Sequence, residues 1–81
     1  MPKTALNKSE LLKINRTLIE NRAFPIIKIG VYERAEMFDG KTHLTRLQFL
    51  SQNGKQYEFS LVSLTEPKCH KLKEQLEEYF I

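Results

Sequence analysis

Leu44-Thr-Arg-Leu-Gln-Phe-Leu-Ser51, then Gln52-Asn53-Gly54, then Lys55-Gln-Tyr-Glu-Phe-Ser-Leu-Val-Ser63 reads as two strands joined by a tight turn. Both runs alternate apolar and polar residues, the period of a half-buried strand. Asn53-Gly54 invites a two-residue type I′ turn, but that loop sets Phe49 opposite Glu58 and Leu47 opposite Ser60. A three-residue loop, Gln52-Asn53-Gly54, instead pairs Phe49 with Tyr57, Leu47 with Phe59 and Thr45 with Leu61. Gly54 then takes the left-handed position of a type I turn plus bulge. A slip of one residue turns every side chain to the other face, so the need for one apolar face selects this second register.

The same rule carries the sheet backwards. A loop at Phe38-Asp39-Gly40 pairs Val31 with Leu47 and Ile29 with Phe49, making Ile26 to Tyr32 the first strand and Glu33 to Met37 an arm reaching beyond the core. One face of a three-stranded antiparallel meander then collects Ile27, Ile29, Val31, Leu47, Phe49, Tyr57, Phe59 and Leu61. That face must be covered.

The flanking segments supply the cover. Asn7-Lys-Ser-Glu10 has the form of a capping box. The residues that follow, to about Arg22, set Leu11, Ile14 and Leu18 on one helical stripe with Leu12 and Ile19 beside it. Phe24-Pro25 is expected to end this helix, because the residue before proline is pushed into an extended conformation. Beyond the third strand, Thr65 reads as a helix cap with Pro67 in the first turn. Cys69, Leu72, Leu76, Tyr79 and Phe80 follow at helical spacing. The expected fold is an α+β two-layer sandwich, helix, three-stranded meander, helix (αβββα), with both helices on one sheet face. Residues 1–6 read as a flexible N-terminal arm and residues 7–81 as a single domain.

Eighty-one residues with 41% hydrophobic and 28% charged side chains exclude a disordered chain, and they cannot furnish two cores. No apolar run approaches the roughly 20 residues of a membrane span, so no membrane partner is expected. One cysteine forms no internal disulfide, which points to a reducing compartment: the cytoplasm, or the nucleus if the source is a eukaryote. Net charge is +3, with nine Lys and Arg against five Asp and Glu in residues 1–46, and four against five in residues 47–81. A basic half of this size fits either a nucleic acid or an acidic protein surface.

The second helix is charged against its own dipole. Lys68, His70, Lys71 and Lys73 crowd its start, and Glu74, Glu77 and Glu78 its end. The macrodipole favours the reverse, at about 0.3–1 kcal/mol per exposed charge. A helix N-terminus flanked by lysines offers backbone donors and positive charge to a phosphate; the plainer reading is a solvated face, balanced in part by Glu77 four residues after Lys73. The layout resembles that of a double-stranded-RNA-binding domain, also helix, three strands, helix. In that family a histidine-bearing loop between the first two strands enters a minor groove, and lysines opening the second helix bind phosphates. Asp39-Gly40-Lys41-Thr42-His43 and the pair Lys68 and Lys71 occupy the corresponding places. The chain departs from that family in lacking its glycine-proline loop and its adjacent lysine pair. Leu72, Gln75 and Leu76 stand where the family has an alanine-rich helix.

Catalytic chemistry finds little footing. Cys69 and His70 are neighbours whose side chains point about 100° apart on a helix, so they form no nucleophile–base pair. One Cys and two His give no zinc spacing, and no cofactor motif is present. The expectation is a small non-enzymatic nucleic-acid-binding module, with phosphate contacts from Lys41, His43, Arg46, Lys68, His70, Lys71 and Lys73. The alternative is a protein-binding regulator or adaptor that docks on a larger protein through the uncovered sheet face, at Tyr32, Leu44, Leu50 and Val62, or through a strand edge. Either role suits a monomer or a homodimer, and neither needs a cofactor or metal.

Overall fold

Asn7 accepts a hydrogen bond from the Glu10 amide at 2.9 Å, while the Glu10 carboxylate accepts from the Asn7 amide at 3.1 Å. This reciprocal cap opens α1 (Lys8–Glu20), whose Leu11, Ile14 and Leu18 are buried. The computed structural model describes residues 6–36, 42–63 and 68–81, the side chains of 34–36 excepted.

The helix stops before Phe24-Pro25 is reached. Ala23 donates its amide to the Leu18 carbonyl at 2.9 Å and Arg22 donates to Ile19 at 3.0 Å, the paired bonds of a Schellman motif. Arg22 takes the left-handed position with φ 52°. Leu18 and Ala23, both fully buried, form the apolar contact beneath it. The stop signal is therefore local backbone geometry with no glycine to announce it, and Phe24-Pro25, a cis peptide bond, lies beyond it.

The strands β1 (Ile26–Glu36), β2 (His43–Ser51) and β3 (Gln56–Ser63) form one antiparallel sheet in the order β1-β2-β3. Phe49 faces Tyr57, Leu47 faces Phe59 and Thr45 faces Leu61, while Ile29 faces Phe49 and Val31 faces Leu47, all as the apolar face requires. At the β2–β3 turn Gly54 has φ 88° and donates to the Ser51 carbonyl at 3.0 Å, so the three-residue loop is the one formed. The loop expected at Phe38-Asp39-Gly40 lies outside the described residues.

Ile27 is the exception on the apolar face. Ile26 pairs with Ser51 and Lys28 with Leu50, which leaves Ile27 as the extra residue of a β-bulge. The bulge breaks the alternation, so Ile26 enters the core at 3% exposure and Ile27 turns out at 55%. A second register shift falls between Glu33 and Glu36, and pairing there continues to Glu36 and His43.

Both helices cover the one face. Leu11, Ile14 and Leu18 of α1 and Leu72, Leu76 and Phe80 of α2 (Cys69–Phe80) join Ile29, Leu47 and Phe49 in a single core. Phe49 sits at its centre, edge-on to Phe59 at 5.5 Å and to Phe80 at 5.3 Å. The fold is thus the α+β sandwich expected. Leu6, assigned by its sequence to a free arm, is 4% exposed; its amide donates to Gln75 Oε1 at 2.7 Å and its carbonyl accepts from Gln75 Nε2 at 3.0 Å. The cap of α2 is Lys68 and not Thr65, which lies outside the described residues together with Pro67.

Candidate nucleic-acid interface

Lys68 occupies the N-cap of α2 in extended backbone, and its side chain makes no capping bond. Its carbonyl accepts from the amides of Lys71 and Leu72, both at 3.1 Å. The helix has no acidic residue in its first turn and no basic residue in its last. Lys68, His70, Lys71 and Lys73 are all exposed. Successive residues advance about 100° around a helix, so Lys68 and Lys71 stand on one flank while Lys73, two residues on, projects from the other. Lys71 Nζ lies 4.0 Å from Glu74, an exposed pair that takes the place of the expected Lys73–Glu77 balance and contributes little.

His43 opens β2 opposite Ser63, the last residue of β3, which puts it at the same end of the sheet as the start of α2. Its Nδ1 lies 2.9 Å from Glu33 Oε1, with the two side chains 16% and 32% exposed. A phosphate contact by His43 must compete with that carboxylate. Glu33 also reaches Cys69, where burial and then the Glu33 charge push the thiol pKa above its ordinary value of 9.0. Glu33 of β1 thus brings a carboxylate near Cys69, while its side-chain partner is His43. Lys68 and Lys71 project into solvent.

Glu33 was not picked out from the sequence, although strand alternation points to it. Residues 29, 31 and 33 share a face, and 33 is where that face passes beneath the helix start. Lys41 lies outside the described residues.

Arg46 belongs elsewhere. It lies on the uncovered face of the sheet, with Nη1 3.3 Å from Glu58 Oε1 across the diagonal of β2 and β3. The fold does not bring it to Lys68 or Lys71. Lys28, Gly30, Tyr32, Gln48, Leu50 and Gln56 line a 110 Å³ depression on this face. The Tyr32 ring folds back over Gly30 so closely that a Cβ there would meet its ring and hydroxyl at 2.6–2.9 Å. Gly30 thus makes room for the chain's own tyrosine. Tyr32 is 49% exposed and Val62 65%, whereas Leu44 and Leu50 are half-buried.

Among the described residues no cluster of three His, Cys, Asp or Glu is arranged to hold a metal ion, and no helix is long and apolar enough to cross a membrane. The chain matches no protein-family model, no curated protein and no solved structure.

Proposed function

We propose that the protein is a small non-enzymatic nucleic-acid-binding module whose phosphate contacts come from Lys68 and Lys71 at the opening of α2. The observation that carries this reading is an uncapped helix start with two lysines on one outer flank and no acidic residue of its own in the first turn. Such an arrangement forgoes helix stability, and a phosphate supplies the missing negative charge. His70 and His43 lie toward the same end of the sheet. Lys73 and Arg46 are remote from this contact and contribute at most to the general field.

The test is fluorescence anisotropy of short duplex RNA, duplex DNA and single-stranded DNA titrated with the protein at low and near-physiological salt. Saturable binding that weakens steeply with salt is expected, because neutralising phosphates releases counterions. Flat titrations with all three ligands overturn the reading.

A second reading, docking on a larger protein, is favoured by the half-exposed Tyr32 and the exposed Val62 on the uncovered sheet face. Its binding would be nearly indifferent to salt. Replacing Tyr32 by Ala and Val62 by Ser together would abolish it and leave nucleic-acid affinity unchanged.

A further inference from the structure

We propose that the free edge of β3 pairs with the same edge of a second copy, joining two molecules through one continuous six-stranded antiparallel sheet. The proposal is independent of nucleic-acid binding. It begins with which backbone groups are free. Ser51 donates to the Lys55 carbonyl at 2.9 Å, making these two a hydrogen-bonded pair. Such pairs alternate along an antiparallel ladder. The odd-numbered residues of β3 therefore bond to β2, and the amides and carbonyls of Gln56, Glu58, Ser60 and Val62 point away from the sheet.

The two edges of the sheet differ in how they are guarded. β1 carries a register shift at each end of its regular pairing, together with the charges of Lys28 and Glu33. Irregularities and charges of this kind discourage added strands. β3 runs Gln56–Ser63 in unbroken register, with neither Lys nor Pro and with Glu58 its one charge. Among the described residues nothing along it blocks a partner strand.

A second copy is the occupant that this edge fits. One antiparallel register engages all four outward residues of both chains: Gln56 opposite Val62 of the second copy, and Glu58 opposite its Ser60. On the covered face the same register sets Phe59 against Phe59 and Tyr57 against Leu61, which are favourable cross-strand pairs. Slipping the chains by two residues in one direction brings Glu58 against Glu58. Slipping them in the other direction strands Gln56. Tyr57, Phe59 and Leu61 are only half-buried in the monomer. A groove of 280 Å³ lies between Glu10, Lys13 and Ile14 of α1 and Phe59 and Leu61 of β3, open to receive the facing side chains.

The measurement is the mass of the full chain by sedimentation equilibrium, from micromolar to near-millimolar concentration and without nucleic acid. A reversible species of twice 9.6 kDa is expected. Ser60→Pro removes an outward amide and no β2–β3 bond, so it should give a folded monomer, with far-UV circular dichroism checking the fold. Should that variant fail to fold, two charged variants decide. Ser60→Glu opposes Glu58 twice across the two-fold and should weaken the dimer about tenfold, while Ser60→Lys should hold or tighten it. A chain that stays monomeric at the highest concentration overturns the proposal. So does an equal response of the dimer to Ser60→Glu and Ser60→Lys.

Discussion

Replacing Lys68 by Asp and Lys71 by Glu together should strengthen the fold and abolish phosphate binding in the same molecule. Lys68 is the N-cap of α2, in extended backbone and with no side-chain bond to the helix. Asp there gains a capping bond worth about 1 kcal/mol. Lys71 stands three residues on, where Glu completes the reciprocal cap already present at Asn7 and Glu10. Reversing two charges in the first turn adds about 0.5 kcal/mol each through the macrodipole. Against this, the Lys71–Glu74 pair at 4.0 Å becomes a repulsion costing about 0.3 kcal/mol, and Glu33 lies beside the same turn. The net gain is about 1.5 kcal/mol, read as a urea midpoint raised by about 0.8 M at unchanged slope. If both lysines touch phosphates of duplex DNA, the slope of log affinity against log salt should become shallower by about 2. A more stable protein with unaltered affinity and salt slope refutes the phosphate site. A destabilised protein refutes the account of the helix start.

Three further outcomes follow from other parts of the fold. Arg22→Gly should stabilise the protein by about 1 kcal/mol in urea denaturation, since it relieves a side chain held in the left-handed region. The Thr45 hydroxyl is buried without a hydrogen-bond partner among the described residues, so Thr45→Val should raise stability by about 1 kcal/mol in the same assay. Cys69 has its thiol pKa raised by burial and by Glu33, so iodoacetamide at pH 8 should modify it more slowly in the folded chain than in urea. The sign for stability follows from the same shift: the unfolded chain loses its thiol proton first, so the Cys69 contribution to stability should fall as pH rises past about 9.

The sheet was legible because two independent constraints agreed on it. A left-handed glycine site and a single apolar face both demanded the Gln52–Gly54 loop, and Gly54 at φ 88° meets the first while Phe49 opposite Tyr57 meets the second. Where only one constraint operated, the reading slipped. Ile26 and Ile27 are the same residue type, so composition does not say which one enters the core. The bulge that decides it is anchored by the Gln52 amide donating to the Pro25 carbonyl at 3.0 Å, a contact between residues far apart in sequence. The end of α1 was obscured for a similar reason. A Schellman stop is normally announced by glycine, and here Arg22 fills the position because the burial of Leu18 against Ala23 outweighs its strain.

The candidate site was legible as charge but not as geometry. The order of Lys and Glu along α2 can be read from the chain directly, since sequence distance and spatial distance agree within a helix. His43 and Glu33 meet across two strands. Glu33 faces Thr45, and His43, two residues along β2 on the same face, lies on its diagonal. Arg46 stands on the open face, away from the helices, as its parity requires, and its pairing with Glu58 across the diagonal follows from the same parity. Adjacent strand residues belong to opposite surfaces. A basic patch on this fold must therefore be assembled by face and not by stretch, which is why the proposed phosphate contact is confined to the exposed flank at Lys68 and Lys71.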